Sequence, residues 1–200
     1  LLALEHPYDA GARDAAQIND IHWDHAFYNG RYYVYFGIVP CLLFQLPFEA
    51  LTGIQNLAYA PCMVVLGLLL LAACFGVVGQ AVRRWFPQTS AAAYLLAVAA
   101  VVLGSQLYYL LVRPYIYEYA ILCGAALLML GLWLWLSAAS TPVEKRGAIA
   151  TKLAFGSLFV ALVAGCRPQM ELFAFLAVPI FWQRYIGQKR LCSRAGAGEA

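Results

Sequence analysis

The stretch YIYEYAILCGAALLMLGLWLWL, from Tyr115 to Leu136, contains a single charged residue, Glu118, in an otherwise apolar run. About 20 residues of α-helix cross the roughly 30 Å hydrocarbon core of a bilayer. The run is long enough for that crossing, and it lacks the alternation of apolar and polar residues that marks the strands of membrane barrels. It therefore predicts a transmembrane helix.

The rest of the chain has the same character. Of its 200 residues, 64% are hydrophobic and 12% are charged, and the mean hydropathy is +0.71. Soluble domains carry about 25% charged residues, so this composition indicates a membrane protein. Four further runs are interpreted in the same way: Leu57 to Val82, Ala91 to Val112, Ala148 to Gly165 and Leu172 to Ile186. The predicted fold class is all-α, a polytopic transmembrane helical bundle with five spans over residues 57–186.

Small residues inside these runs are expected to let the helices approach closely in lipid. They are Gly67, Gly76, Gly104, Gly124 and Gly156. The cysteines show no CxxC spacing and mostly fall inside apolar runs, so we interpret them as small membrane-buried side chains. They are Cys41, Cys62, Cys74, Cys123, Cys166 and Cys192.

The basic residues indicate an orientation, because Lys and Arg accumulate in short loops on the cytoplasmic side. They follow the first, third and fifth runs: Arg83, Arg84, Lys145, Arg146, Lys152, Arg184, Lys189, Arg190 and Arg194. Residues 187–200 should therefore form a cytoplasmic tail, and residues 1–56 an extracytoplasmic first loop. The formal net charge of +3 is unremarkable, and no nucleic-acid partner is expected.

The segment YFGIVPCLLFQLPFEALTG, Tyr35 to Gly53, resembles a sixth span but is interrupted by Pro40, Pro47 and Glu49. If it crossed the membrane, every positive loop would move to the wrong side. We predict a membrane-parallel or re-entrant helix over about residues 35–53 instead. The preceding aromatic stretch suits the headgroup zone, where Tyr and Trp are enriched, and Asn29-Gly30 within it predicts a tight turn.

Two arginines at the opposite ends of the spans stand in similar settings, in RPYIYE and CRPQME. Arg113 is followed by Pro and then Glu118, and Arg167 by Pro and then Glu171. Proline suits the first turn of a helix, so each arginine should lie just outside a helix with its acid one turn in. Charges this close to hydrocarbon are functional candidates. The competing interpretation is that each arginine pairs with its own glutamate or extends to the headgroups.

Acidic residues of the first loop are the other candidates. Asp9 could act as a general base or be a solvated turn residue after Pro7. Asp20 and Asp24 lie near two histidines and could bind a divalent cation through carboxylate oxygens, although the spacing matches no specific metal motif and a solvated polar loop is the competing interpretation.

The layout resembles one membrane enzyme family. The early acid in HPYDAGARD, the aromatic segment YNGRYYVYFGIVPCLLFQLPFEALTG, the basic turn RRWFP, and then RPYIYE and CRPQME are similar to bacterial polytopic glycosyltransferases of the GT-C class. That class includes the protein O-mannosyltransferases and the lipid A aminoarabinose transferases. The resemblance covers nearly the whole chain as a layout, with Ala10 where the family's Asp-Glu pair has its glutamate. The chain begins at Leu1 without a methionine, so we expect a fragment.

The resemblance implies a transferase in the bacterial inner membrane with its active face outside the cytoplasm. It would move a sugar from a polyprenyl-phosphate donor to an extracytoplasmic acceptor, with membrane lipid as its surroundings and no cofactor beyond a possible divalent cation. Asp9 would be the base. The substrate-binding candidates are Arg113, Glu118, Arg167, Glu171, Tyr32, Tyr33 and Tyr117.

Two alternatives stay open. The first is a non-enzymatic transporter or flippase for a lipid-linked or polar solute, in which the same charges would line a path. Transporters carry polar residues at the bilayer midplane, whereas the span centres here, such as VVLGLLLLAAC, are apolar. The second is a truncated family member that only scaffolds a partner.

Overall fold

The computed structural model describes residues 4–6, 9–16, 25–34, 37–55 and 57–182, and the chain divides into two units, Leu1–Phe36 and Gly37–Ala200. The segment that follows Gly37 is held on the bundle by the backbone. The Gly37 amide donates to the Cys166 carbonyl and the Val39 amide to the Gly165 carbonyl, both at 3.3 Å.

The amino-terminal unit contains one short helix and one hairpin. Helix α1 covers Ala10–Ala15, and strands β1, His25–Tyr28, and β2, Arg31–Val34, pair antiparallel. Asn29 and Gly30 connect the strands with φ angles of 47° and 73°, as a two-residue hairpin turn requires. The predicted tight turn is confirmed. The strands themselves were not foreseen in an all-α fold.

The second unit begins with helix α2, Ile38–Thr52, which lies between Gly37 and Gly53. Both glycines have positive φ, 77° and 70°, a region that other residues rarely adopt. Pro47 does not break the helix. The turn before it, Cys41–Gln45, widens into a π-helix, which relieves the clash of a proline ring with the preceding turn.

The remaining helices form the bundle. They are α3, Tyr59–Trp85; α4, Ala91–Gly104; α5, Leu107–Val112; α6, Ile116–Ala139; α7, Arg146–Val163; and α8, Pro168–Trp182, whose first part, Pro168–Leu176, is 3-10 helix. Three of the described helices, α3, α6 and α7, are long and apolar enough to cross a membrane. The other two predicted spans are shorter as helices.

The second predicted span is interrupted at Gln106, which adopts a left-handed conformation with φ 56° and separates α4 from α5. The fifth begins as 3-10 helix and is described only to Trp182. Even so, α8 follows α6 along its length. Met170 Sδ lies next to Gly124, and the Phe181 ring lies 6.3 Å from the ring of Trp135.

Helix α6 is the centre of the bundle, because it packs against both α3 and α7. The contacts involve small residues, as predicted. A Cβ on Gly131 would lie 2.9 Å from the Gly156 carbonyl oxygen, and Gly76 faces the ring of Trp133. Gly104 is the exception, since nothing lies within 4 Å of its Cβ position.

The bundle has two chemically different ends. At the first, which we call the Tyr119 end, α3 and α7 meet the start of α6: the Tyr59 and Tyr119 rings are 5.1 Å apart, and Cys166 contacts Gly124. At the second, the Arg84 end, Arg84 Nη2 donates to the Ile180 carbonyl at 3.4 Å. Basic residues gather at the Arg84 end, whereas Arg113 and Arg167 lie at the Tyr119 end.

Candidate functional site

The first turn of α6 is the focus of the Tyr119 end. The helix begins after Tyr115, which provides no side-chain cap, so its first amide groups lack the usual acceptor. Arg113 is the C-cap residue of the preceding helix α5, and Glu118 lies in the first turn of α6. The predicted placement of the arginine outside the helix and of the acid one turn in is confirmed at this position.

Glu118 is the one charged side chain that is buried among the residues the structure describes. Its Oε1 lies 3.6 Å from Arg113 Nε, and the two side chains are 11% and 52% exposed. A buried carboxylate is unfavourable without a partner, so Arg113 stabilises Glu118. This is the pairing that the competing sequence interpretation predicted.

Arg113 keeps about half of its surface exposed while it pairs with Glu118. Its Nη1 donates to the Tyr109 hydroxyl. Its Cζ lies 5.3 Å from the Tyr109 ring centroid and 6.0 Å from that of Tyr115, within the range of cation–π contacts. The guanidinium is thus oriented at the start of α6 by a carboxylate and two rings.

Arg167 reaches the same turn from the start of α8. It is the N-cap residue of α8, and Pro168 opens that helix as predicted. Its Cζ lies 5.5 Å from the ring centroid of Tyr117. Since Tyr117 and Glu118 are neighbours, both arginines contact the first turn of α6.

Glu171 lies in the first turn of α8, as predicted. Its Oε2 is buried without a hydrogen-bond partner within the described part of the chain. A second buried carboxylate oxygen therefore lies near the start of α8.

Tyr119, which sequence reasoning missed, ties α2 to this end. The side chain is fully buried, and its hydroxyl lies 3.0 Å from both the Pro40 carbonyl and Gln45 Oε1. The sequence signal was a tyrosine hydroxyl inside an apolar run, because a buried Tyr hydroxyl almost always has a hydrogen-bond partner.

A cleft of about 500 Å³ opens beside Tyr59. It is lined by Gln45, Glu49, Gln55, Leu57, Ala58 and Tyr59. Gln45 Nε2 is buried and has no hydrogen-bond partner among the described residues. Amide and carboxylate groups beside an aromatic ring can bind a hydroxyl-rich ligand, because they offer both donors and acceptors.

Asp9 is exposed and caps α1, with Oδ1 accepting from the Gly11 amide at 3.1 Å. This contact fits the turn-residue interpretation and leaves the second carboxylate oxygen without a described contact. Tyr33 is exposed and shares a hairpin face with Tyr28, while Tyr32 is described by its backbone in β2 alone.

The proposed metal ligands Asp20 and Asp24 lie outside the described residues, as does the tail of residues 187–200. Within the ranges that are described, no cluster of three or more His, Cys, Asp and Glu side chains could hold a metal ion.

Comparison with protein-family models, with curated proteins and with solved structures found no match to this chain.

Proposed function

We propose that the chain is part of a membrane glycosyltransferase of the GT-C class, in the bacterial inner membrane. It would move a sugar from a polyprenyl-phosphate donor to an extracytoplasmic acceptor. The observation that carries the proposal is that Arg113 and Arg167 both contact the first turn of α6. The resemblance described above supplies the reaction class.

A lipid-linked phosphate matches this turn in charge and depth. Arginine binds phosphate through a planar fork of N–H donors, and the start of a helix favours negative charge. The polyprenyl tail would stay in lipid beside the apolar bundle. Glu118 has a supporting role in this scheme, because it orients Arg113 from a buried position.

The polar cleft beside Tyr59 is the candidate for the sugar. It lies next to Tyr119, one residue from Glu118, so it is close to the proposed phosphate position. In this proposal Asp9 accepts the proton of the acceptor hydroxyl, and Tyr32 and Tyr33 contribute a surface for sugar or lipid.

The test is donor dependence in Arg113→Lys and Arg167→Lys, measured with a polyprenyl-phosphate-sugar and the full-length protein in membranes. Lysine keeps the charge but loses the fork, so we expect the donor KM to rise about tenfold at each site. Lys152→Arg is the matched control, because Lys152 lies at the Arg84 end, where its Nζ contacts Thr141 Oγ1 at 2.9 Å.

The paired variant Arg113→Gln with Glu118→Gln separates phosphate binding from structural pairing. If the only role of Arg113 were to pair with Glu118, the paired variant would impair donor use less than Arg113→Gln alone. Unchanged donor KM in both lysine variants, together with that rescue, would show that the arginines do not bind the donor.

A transporter or flippase is the second candidate, and the interruption at Gln106 favours it. Broken helices are typical of transporter substrate sites. Here the break lies between α4 and α5. Uptake or flipping of a labelled lipid-linked sugar by sealed vesicles, without any transfer product, would support this candidate against the transferase.

A further inference from the structure

A second cavity lies at the Arg84 end, far along α6 from the site described above. Its volume is about 390 Å³. It opens between the last turns of α3 and α6 and is lined by Gln80, Arg83, Arg84, Ala139 and Ser140. Of the described residues, two arginines and no acid line it, so its walls favour an anion.

The hydrogen bonds of the two arginines use only some of their N–H donors. Arg83 Nε donates to the Gly79 carbonyl at 3.1 Å, and Arg84 Nη2 donates to the Ile180 carbonyl at 3.4 Å. Arg84 Nη1 is buried and has no hydrogen-bond partner in the part of the chain that the structure describes. A charged donor left in this state is unfavourable.

A favourable interaction with the helix dipole explains why basic residues lie at the end of α3. It does not explain why Arg84 Nη1 is buried without an acceptor among the described residues. Lys and Arg near the end of a helix interact favourably with its last carbonyls, and Arg83 makes such a contact with the Gly79 carbonyl. Arg84 Nη1 instead has no acceptor among the described residues, and it lies at a cavity that its own side chain lines.

The surroundings indicate the depth of a membrane surface. Arg84 Cζ lies 5.1 Å from the ring centroid of Trp85, and both Trp85 and Phe86 are exposed. Exposed aromatic rings at the end of an apolar helix are typical of the headgroup zone. Basic pockets between helices at this depth bind anionic lipid headgroups.

We propose that this cavity binds the phosphate of an anionic membrane lipid, with Arg84 Nη1 as the principal donor and with Arg83 and Gln80 beside it. The lipid would enter from the leaflet at the Arg84 end. The site is independent of the proposed transfer reaction, which concerns the Tyr119 end.

The experiment measures lipid binding to the purified, delipidated full chain in detergent by native mass spectrometry. Phosphatidylglycerol should bind, and zwitterionic phosphatidylcholine should bind about tenfold more weakly. Arg84→Gln and Arg84→Lys should each weaken phosphatidylglycerol binding about tenfold or more, because each loses the Nη1 donor of the fork. Lys145→Gln is the matched control, since Lys145 is exposed and does not line the cavity.

Gln80→Glu gives a second variant in which both arginines are kept. It introduces a carboxylate into the same cavity, so it should weaken phosphatidylglycerol binding even if Arg84 variants fold poorly. Three outcomes would overturn the proposal: equal binding of the two lipids, unchanged binding in Gln80→Glu and Arg84→Lys, or displacement of the lipid by an equal concentration of inorganic phosphate. The last would identify the cavity as a site for free phosphate.

Discussion

At the scale of single residues, buried and capping carboxylates carry most of the functional argument. Glu118 is held by Arg113 at 3.6 Å, and Asp9 caps α1 through the Gly11 amide. Either contact can be purely structural, because both stabilise a local conformation. A substitution that keeps the contact but removes the chemical function of the carboxylate distinguishes a structural role from a functional one.

Asp9→Asn is such a substitution. Asparagine caps a helix about as well as aspartate, but it cannot accept a proton from an acceptor hydroxyl. If Asp9 is the base, transfer should fall about 100-fold to 10,000-fold, with unchanged protein abundance in the membrane. The assay is product formation from a polyprenyl-phosphate-sugar, with Asp14→Asn as control because Asp14 belongs to the same helix. Near-normal transfer by Asp9→Asn would leave Asp9 as a cap only.

At the scale of elements, close contacts between small residues determine how α6 meets its neighbours. Helices in lipid lack a hydrophobic force between them and rely on packing instead. Gly131 and Gly156 face each other across α6 and α7, and the Trp135 indole lies over Gly156. Trp135 Nε1 also donates to Ser157 Oγ at 3.3 Å, which orients the ring.

Gly131→Ala should separate α6 from α7. The new Cβ would lie 2.6 Å from Val160 Cγ2 and 2.9 Å from the Gly156 carbonyl oxygen, and a backbone oxygen cannot move aside. Overpacking of this kind costs about 1–3 kcal/mol. Thermal unfolding in detergent should therefore occur at a lower temperature. Gly104→Ala, with nothing within 4 Å, should not lower it, and equal melting of the two variants would contradict the packing argument.

At the scale of the whole molecule, charge divides the second unit into two ends. The Tyr119 end contains the paired Arg113 and Glu118, and the Arg84 end contains Arg83 and Arg84 in the last turn of α3. Exposed apolar side chains on α2, at Ile38, Leu42 and Leu46, recur every four residues. One face of α2 therefore suits lipid, while Val39 and Pro40 are buried in the bundle.

The predicted orientation can be tested with single cysteines in a background without the native ones. Asp14→Cys and Gln55→Cys should both react with an impermeant thiol reagent on intact cells, because α2 is predicted not to cross the membrane. Glu144→Cys, in the loop between α6 and α7, should react only after the membrane is opened. All three positions are exposed. Reaction at Asp14→Cys without reaction at Gln55→Cys would mean that α2 crosses and that the orientation is inverted.

The amino-acid sequence was enough to predict the helical class, the apolar helices α3, α6 and α7, the hairpin turn at Asn29-Gly30, and the acid in the first turn after each RP pair. These depend on local properties: the length of an apolar run, the φ angles that Asn and Gly tolerate, and the fixed φ of proline. The interruption at Gln106 was not predictable in this way, since no proline or glycine occupies that position.

The folded structure was needed to show which distant residues meet. It brought Arg113 and Arg167 to the same turn of α6, joined the Tyr119 hydroxyl to Pro40 and Gln45, and left Arg84 Nη1 buried beside a cavity. A periodic pattern indicates which face of a helix is apolar, but it does not indicate the partner helix or the register of their contact. Those follow from the close approach of small residues and from the need of each buried polar atom for a partner.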